Sequence, residues 1–338
     1  MRYPKFIKVN DKIAFVAPSL GASIEPYHQR VIDSKRILEE KGFVVEYGPN
    51  TFGSKKALSA TKEECAKELN HYFSDPSTDF IMSVGGGELM YEVMNHVDFD
   101  ILKNNPKWFM GFSDNTNLTF LLPTICDIAS IYGPCAGTFG VYPWYKSTED
   151  AFDLITGRKL IMNGYPFYEK ESLRTEENPF ARLNLTEPSI IHKIPNTSLK
   201  FSGRLLGGCL DILQLFPGTK FDKVNEFIER YTEDGIVWFL EACDLNVLGI
   251  RRALRQLDNA GWFKNSKGFI IGRPLNGYDE LFGIDRFDAV TEVLSKYNVP
   301  IILDADLGHL PESMPLITGS YAEVSSVDND LKIEMKLK

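Results

Sequence analysis

Ser113 sits in the run Gly111-Phe112-Ser113-Asp114-Asn115, where an apolar strand pattern stops and a helical pattern begins. A serine on such a turn is lifted above a sheet, with N–H groups of the new helix pointing at whatever binds to it. That is the mechanical arrangement of a nucleophile elbow. The same residues also suit helix capping, since Ser and Asp are favoured N-caps. Upstream, Val84-Gly85-Gly86-Gly87 closes another apolar run. Glycines let backbone approach a ligand closely and leave N–H groups for an oxyanion. A dinucleotide loop is disfavoured, because Met90 stands where Gly-x-Gly-x-x-Gly needs its last glycine.

Glu241 ends the apolar run Ile236-Val237-Trp238-Phe239-Leu240, and His309 follows a second run in Asp306-Leu307-Gly308-His309. Each alone is ordinary, and a lone histidine after a strand is more often structural than catalytic. Together they weigh more. A serine needs a base to become a nucleophile, and the base needs an orienting carboxylate. All three residues fall at the carboxyl ends of predicted strands, where open α/β sheets hold their ligands. The order Ser…Glu…His also fits an α/β-hydrolase, although that elbow carries glycine where this chain has Asn115.

The elements that must position these residues alternate. Apolar strand runs at 13–19, 43–47, 80–84 and 108–112 are separated by helical patterns at 25–41, 61–73, from about 88, and at 115–126. Thr61-Lys62-Glu63-Glu64 offers a capping box. Repeated βα units of this length predict a parallel, flavodoxin-like sheet in an N-terminal domain over 1–165, which carries the elbow. Residues 166–200, proline-containing and without sustained periodicity, read as a connecting segment. From 201 to 338, strand and helix patterns resume as a smaller mixed α/β domain that carries the acid and the base. A period-two pattern at 331–335 after Asp328-Asn329-Asp330 predicts a hairpin.

The 338 residues exceed an average domain of about 150 and suggest two. With 43% apolar and 25% charged residues, a chain this long can bury its own core without disulfides or metal. A net charge of −9 argues against nucleic acid or anionic lipid as partner. No apolar run approaches the length of a membrane span, and the first ten residues lack the features of a secretory signal. Five widely spaced cysteines fit reduced thiols of a cytoplasmic protein. The five histidines have no ligand spacing, so neither a metal nor another cofactor is expected.

Gly111-Phe112-Ser113-Asp114, Gly203-Arg204-Leu205-Leu206-Gly207-Gly208, Glu241 and Gly308-His309, in this order, resemble the motifs of the LD-carboxypeptidase family of serine peptidases. The similarity runs over nearly the whole chain. It implies Ser113 as nucleophile, His309 as base and Glu241 as orienting acid. It further implies an oxyanion hole from backbone N–H groups of Gly86 (or Gly85) and Asp114, with Gly85 and Glu88 beside the substrate. Typical members carry Arg-Gly-Gly-Tyr-Gly where this chain has Val84-Gly85-Gly86-Gly87-Glu88. An aliphatic residue before Gly-Gly and a longer middle segment are more like the microcin C immunity branch, whose members cleave the amide linking an aminoacyl or peptidyl group to a nucleotide. The expected function is therefore serine amidase cleavage of such an amide near a carboxyl terminus. Murein tetrapeptide LD-carboxypeptidase activity is the alternative, and a non-catalytic small-molecule binding protein the alternative of another class. The resemblance also implies a homodimer.

Overall fold

β1 (Lys12–Val16) has its last four residues fully buried, as a run of Ile, Ala, Phe and Val dictates for a strand covered on both faces. It starts the first of two units into which the chain divides in a computed structural model describing residues 1–338. The first unit holds residues 1–159 and 173–182, the second residues 160–172 and 183–338, and the two are equal in length.

In the first unit β1 is followed by β2 (Val44–Tyr47), β3 (Phe80–Ser83), β4 (Trp108–Gly111) and β5 (Ser130–Tyr132). These run in the order β5-β4-β3-β1-β2, every neighbouring pair parallel. That is the flavodoxin-like order the alternating pattern predicts. Helices α1 (Tyr27–Glu40), α2 (Lys62–Ser74) and α3 (Met90–Val93) return the chain between strands. Gly42 ends α1 at a φ of 93°, a conformation that costs glycine little. α2 starts at the expected capping box: Thr61 Oγ1 accepts the Glu64 N–H, and Glu64 Oε2 accepts the Thr61 N–H. Two helices are shorter than their patterns suggest. α3 is one turn, and residues 115–126 split into the helix Thr116–Leu121 and a π-helical turn Leu122–Cys126, where Pro123 has no N–H to offer.

The second unit contains β6 (Ile161–Asn163), β7 (Phe167–Tyr168), β8 (Glu187–Pro188), β9 (His192–Ile194), β10 (Leu199–Cys209), β11 (Ile236–Glu241), β12 (Ser266–Gly272), β13 (Ile301–Ala305), β14 (Leu316–Thr318), β15 (Tyr321–Val327) and β16 (Asp330–Lys336). Eight of these form one sheet, in the order β6-β16-β15-β10-β11-β12-β13-β9. β10 to β13 are parallel neighbours, while the strands outside them are antiparallel, so the sheet is mixed. β15 and β16 form the expected hairpin.

The segment 166–200 is not a separate connection. β6 pairs with β16, β9 with β13, and β7 with β8, so 160–172 and 183–200 join the second unit, and only 173–182 return to the first. The physical reason is that three-residue edge strands need only backbone pairing from a distant partner, and such pairing leaves no periodicity to read. All five cysteines are free, and no helix is long and apolar enough to cross a membrane.

Candidate active site

In the first unit, β4 stops at Gly111 and the chain turns sharply through Ser113, whose φ of 63° lies in the left-handed region. A non-glycine residue is rarely held there, and such outliers gather at functional sites. Neither Ser113 nor Asp114 caps the helix Thr116–Leu121, so the capping alternative does not describe this turn. Asn115 explains why the last elbow position is not glycine. Its Nδ2 donates to the Gly85 carbonyl at 2.8 Å and the Phe112 carbonyl at 3.0 Å, which ties the elbow to the glycine loop after β3. A Cβ on Gly111 would lie 2.7 Å from the Asn115 side chain, so the first elbow position must be glycine.

Gly86 is packed against the serine. A Cβ added to it would come within 3.3 Å of Ser113 Oγ and 4.0 Å of the Asp114 nitrogen. The glycine thus brings loop backbone, the hydroxyl and the Asp114 N–H into one small volume, as an oxyanion hole requires. The Gly85 carbonyl is held by Ser83 Oγ and Asn115 Nδ2, which fixes the loop. Glu88 is exposed on the chain leading into α3.

The Asp114 side chain, fully buried, is engaged away from the hydroxyl. It accepts from Ser19 Oγ, from the Met90 N–H at 2.9 Å and from Asn117 Nδ2 at 2.9 Å. Burial pushes its carboxyl up, against three hydrogen bonds that favour the anion. The loop after β1 is joined to the same structure, because the Leu20 N–H donates to the Gly86 carbonyl at 3.1 Å. Under that loop, Glu68 accepts the Ala17 and Asn50 N–H groups at 2.8 and 3.0 Å. Tyr132, at the end of β5, accepts the Ser113 N–H through its hydroxyl at 3.3 Å. Ser19, Glu68 and Tyr132 belong to no motif of the sequence; each follows or supports a strand end.

In the second unit Glu241 ends β11, its side chain wholly buried, and its Oε2 lies 2.8 Å from His309 Nδ1. Sequence neighbours make room for this pair. Gly308 has a φ of 111°, and a Cβ there would stand 2.7 Å from Glu241 Oε2. A Cβ on Gly272 would meet the Leu307 carbonyl at 2.1 Å and the Glu241 Cβ at 3.0 Å. Burial disfavours the charged imidazole most strongly, but the Glu241 carboxylate and the nearby Cys243 thiol outweigh it, and the ring is held well above the ordinary histidine value. The loop that carries Cys243 is fixed by Asp211, which accepts the N–H groups of Cys243 and Asp244, each at 2.9 Å.

One grouping lies outside the spacing rules used on the sequence. Cys209, paired in register with Glu241 across β10 and β11, joins Glu241 and His309 so that their ligating atoms lie within 4.8 Å of one another. Burial holds the Cys209 thiol protonated, and the Glu241 oxygen facing His309 is already bonded to Nδ1. A carboxylate at Nδ1 leaves Nε2 as the ring nitrogen that faces away from Glu241.

Comparison with known proteins gives two family matches. Residues 13–133 match the LD-carboxypeptidase N-terminal domain, and residues 202–324 match the LD-carboxypeptidase C-terminal domain. The chain is 26% identical over 340 residues to the microcin C7 self-immunity protein MccF of Escherichia coli, covering 96% of this chain and 93% of that protein. Its fold is similar to that of an MccF-like protein from Bacillus anthracis, with a TM-score of 0.85, 22% identity and coverage of 99% and 100%. It is also similar to MccF in complex with aspartyl sulfamoyl adenosine, with a TM-score of 0.82, 22% identity and coverage of 99% and 98%.

Proposed function

The chain belongs to the LD-carboxypeptidase family, and from that premise we propose that it is a serine hydrolase with Ser113 as nucleophile, His309 as base and Glu241 as orienting acid, cleaving the amide that joins an aminoacyl or peptidyl group to a nucleotide. The observation that carries this reading is Ser113 itself: a non-glycine residue in left-handed backbone, with Gly86 packed against its hydroxyl. Ser113 Oγ attacks the amide carbonyl carbon while its proton passes to His309 Nε2. The carbonyl oxygen becomes an oxyanion and takes hydrogen bonds from the N–H groups of the Gly86 loop and Asp114. Glu241 stabilises the imidazolium so formed. Collapse of the tetrahedral intermediate breaks the C–N bond, His309 returns the proton to the leaving amine, and an acyl ester remains on Ser113. Water, deprotonated by His309, then hydrolyses that ester and restores the serine.

The substrate half of the proposal rests on two supports. The loop after β3 begins with Val84 and bears Glu88, with no arginine to pair with the free carboxylate of a murein peptide. The similar structure with aspartyl sulfamoyl adenosine shows that a related protein binds an aminoacyl-nucleotide analogue. A hydrolysis panel tests this directly. The expected result is a kcat/KM for aminoacyl-nucleotide amides at least about 100-fold above that for murein tetrapeptide, a difference of about 2.7 kcal/mol in transition-state binding. The reverse ranking moves the assignment to murein LD-carboxypeptidase, and turnover of neither leaves the binding-protein alternative. The homodimer implied by the resemblance is part of the same proposal and is read by light scattering.

A further inference from the structure

We propose that Asp306 is a positioning residue for His309, acting through a buried ion pair with Arg273. The inference rests on reading His309 as the base. Asp306 follows β13 and stands three residues before the histidine. Its side chain and that of Arg273 are each only 2% exposed, and Arg273 Nη1 donates to Asp306 Oδ1 at 2.5 Å. The same carboxylate accepts from Ser189 Oγ at 2.9 Å and from the Tyr165 N–H at 2.7 Å, so three donors converge on it. Its backbone carbonyl accepts the Met314 N–H at 2.8 Å, which closes the loop carrying His309 on itself. Arg273 is held in turn by Tyr168, whose ring centroid lies 4.3 Å from the guanidinium carbon.

Buried ion pairs are weak evidence for stability, since desolvation offsets most of the attraction. What this pair fixes is a path. Arg273 directly follows Gly272, the residue whose missing Cβ lets the Leu307 carbonyl and Glu241 approach β12. The Arg273–Asp306 bond therefore clips the end of β12 to the start of the base loop on either side of that close contact. Between the clip and His309 stand only Leu307 and Gly308, and Gly308 has no Cβ because Glu241 Oε2 occupies the space. A displaced Asp306 is passed straight to the Nδ1–Glu241 bond, and misplacement by about 1 Å at a catalytic group can cost on the order of 100-fold in rate.

The test compares Asp306→Asn with the double substitution Asp306→Leu/Arg273→Met. The single change strands a buried guanidinium and endangers the fold; the double change removes both charges and fills the volume with apolar atoms, a swap that is often neutral for stability. Three readouts are taken on the full chain: kcat against KM, the pH profile, and the proton resonance of His309 Nδ1–H. The expected result in the folded double variant is a fall in kcat of about 10- to 100-fold with KM within about twofold, an apparent pKa moved toward that of free histidine, and a shifted or broadened Nδ1 resonance. A lower melting temperature with unchanged kcat, pH profile and resonance would reduce Asp306 to a structural residue and overturn the proposal. The resonance needs neither substrate nor Ser113, so this inference and the proposed function fail on separate measurements.

Discussion

At Gly86 and Glu241 the account turns on single atoms. A methyl added at Gly86 lies 3.2 Å from Ser113 Cβ and 3.3 Å from Oγ, tight contacts that a few tenths of an ångström of movement relieve. Gly86→Ala is therefore expected to fold normally and to lose about 100-fold in kcat, since it crowds the place where the oxyanion forms. A variant with wild-type kcat would remove the glycine loop from the chemistry. Glu241→Gln is expected to lower kcat by about 10³- to 10⁴-fold with little change in KM, because the lost charge matters most once the imidazolium exists. It also has a pH signature. With Glu241 charged, His309 holds its proton above the ordinary histidine value, so kcat/KM of the wild type rises with pH through an apparent pKa above 6.5. Without that charge burial dominates, and the apparent pKa of the residual activity falls; an unchanged apparent pKa would uncouple the two residues. The strand-end placement of Ser113, Glu241 and His309 was legible in the sequence because each ends or follows an apolar run that stops abruptly. The roles of Asn115, Tyr132 and Cys209 were not, since their partners are brought to them by strand order and register.

At the scale of elements, the loops around Ser113 hang on a buried carboxylate that the mechanism never uses. Glu68 projects from α2 and fixes the loops after β1 and β2 through the Ala17 and Asn50 N–H groups. Burial pushes its carboxyl up to about 7 from an ordinary 4.5. A raised folded-state value means that its contribution to stability is fully present below about 4.5 and is lost as pH rises through 7, a swing on the order of 3 kcal/mol. Urea unfolding at pH 5 to 8 checks this. The wild type should lose stability across that range, and Glu68→Gln, less stable throughout because an amide must turn a donor toward one of the two N–H groups, should lose much less. Parallel slopes would show that Glu68 does not titrate there. The alternation of strands and helices up to Cys135 was legible because the buried strands are rich in apolar residues and turns such as those at Gly42 and Thr61 carry a glycine or a cap. The segment 166–200 was not, because β7, β8 and β9 are two or three residues long and pair with partners that their own sequence does not specify.

For the molecule as a whole, two units of equal length each present candidate site residues at the carboxyl ends of parallel strands: Ser113 after β4 in one, Glu241 at the end of β11 and His309 after β13 in the other. The central claim is that the first unit's serine is the nucleophile of the reaction. It is tested most directly by the turnover of Ser113→Ala, measured on protein shown to be folded by circular dichroism and by a melting temperature near that of the wild type. The substitution removes one hydroxyl and leaves the Asn115 and Asp114 contacts in place. The account predicts a loss on the order of 10⁶-fold in kcat, the size found when a triad nucleophile is deleted. Near-normal turnover by the folded variant would contradict it.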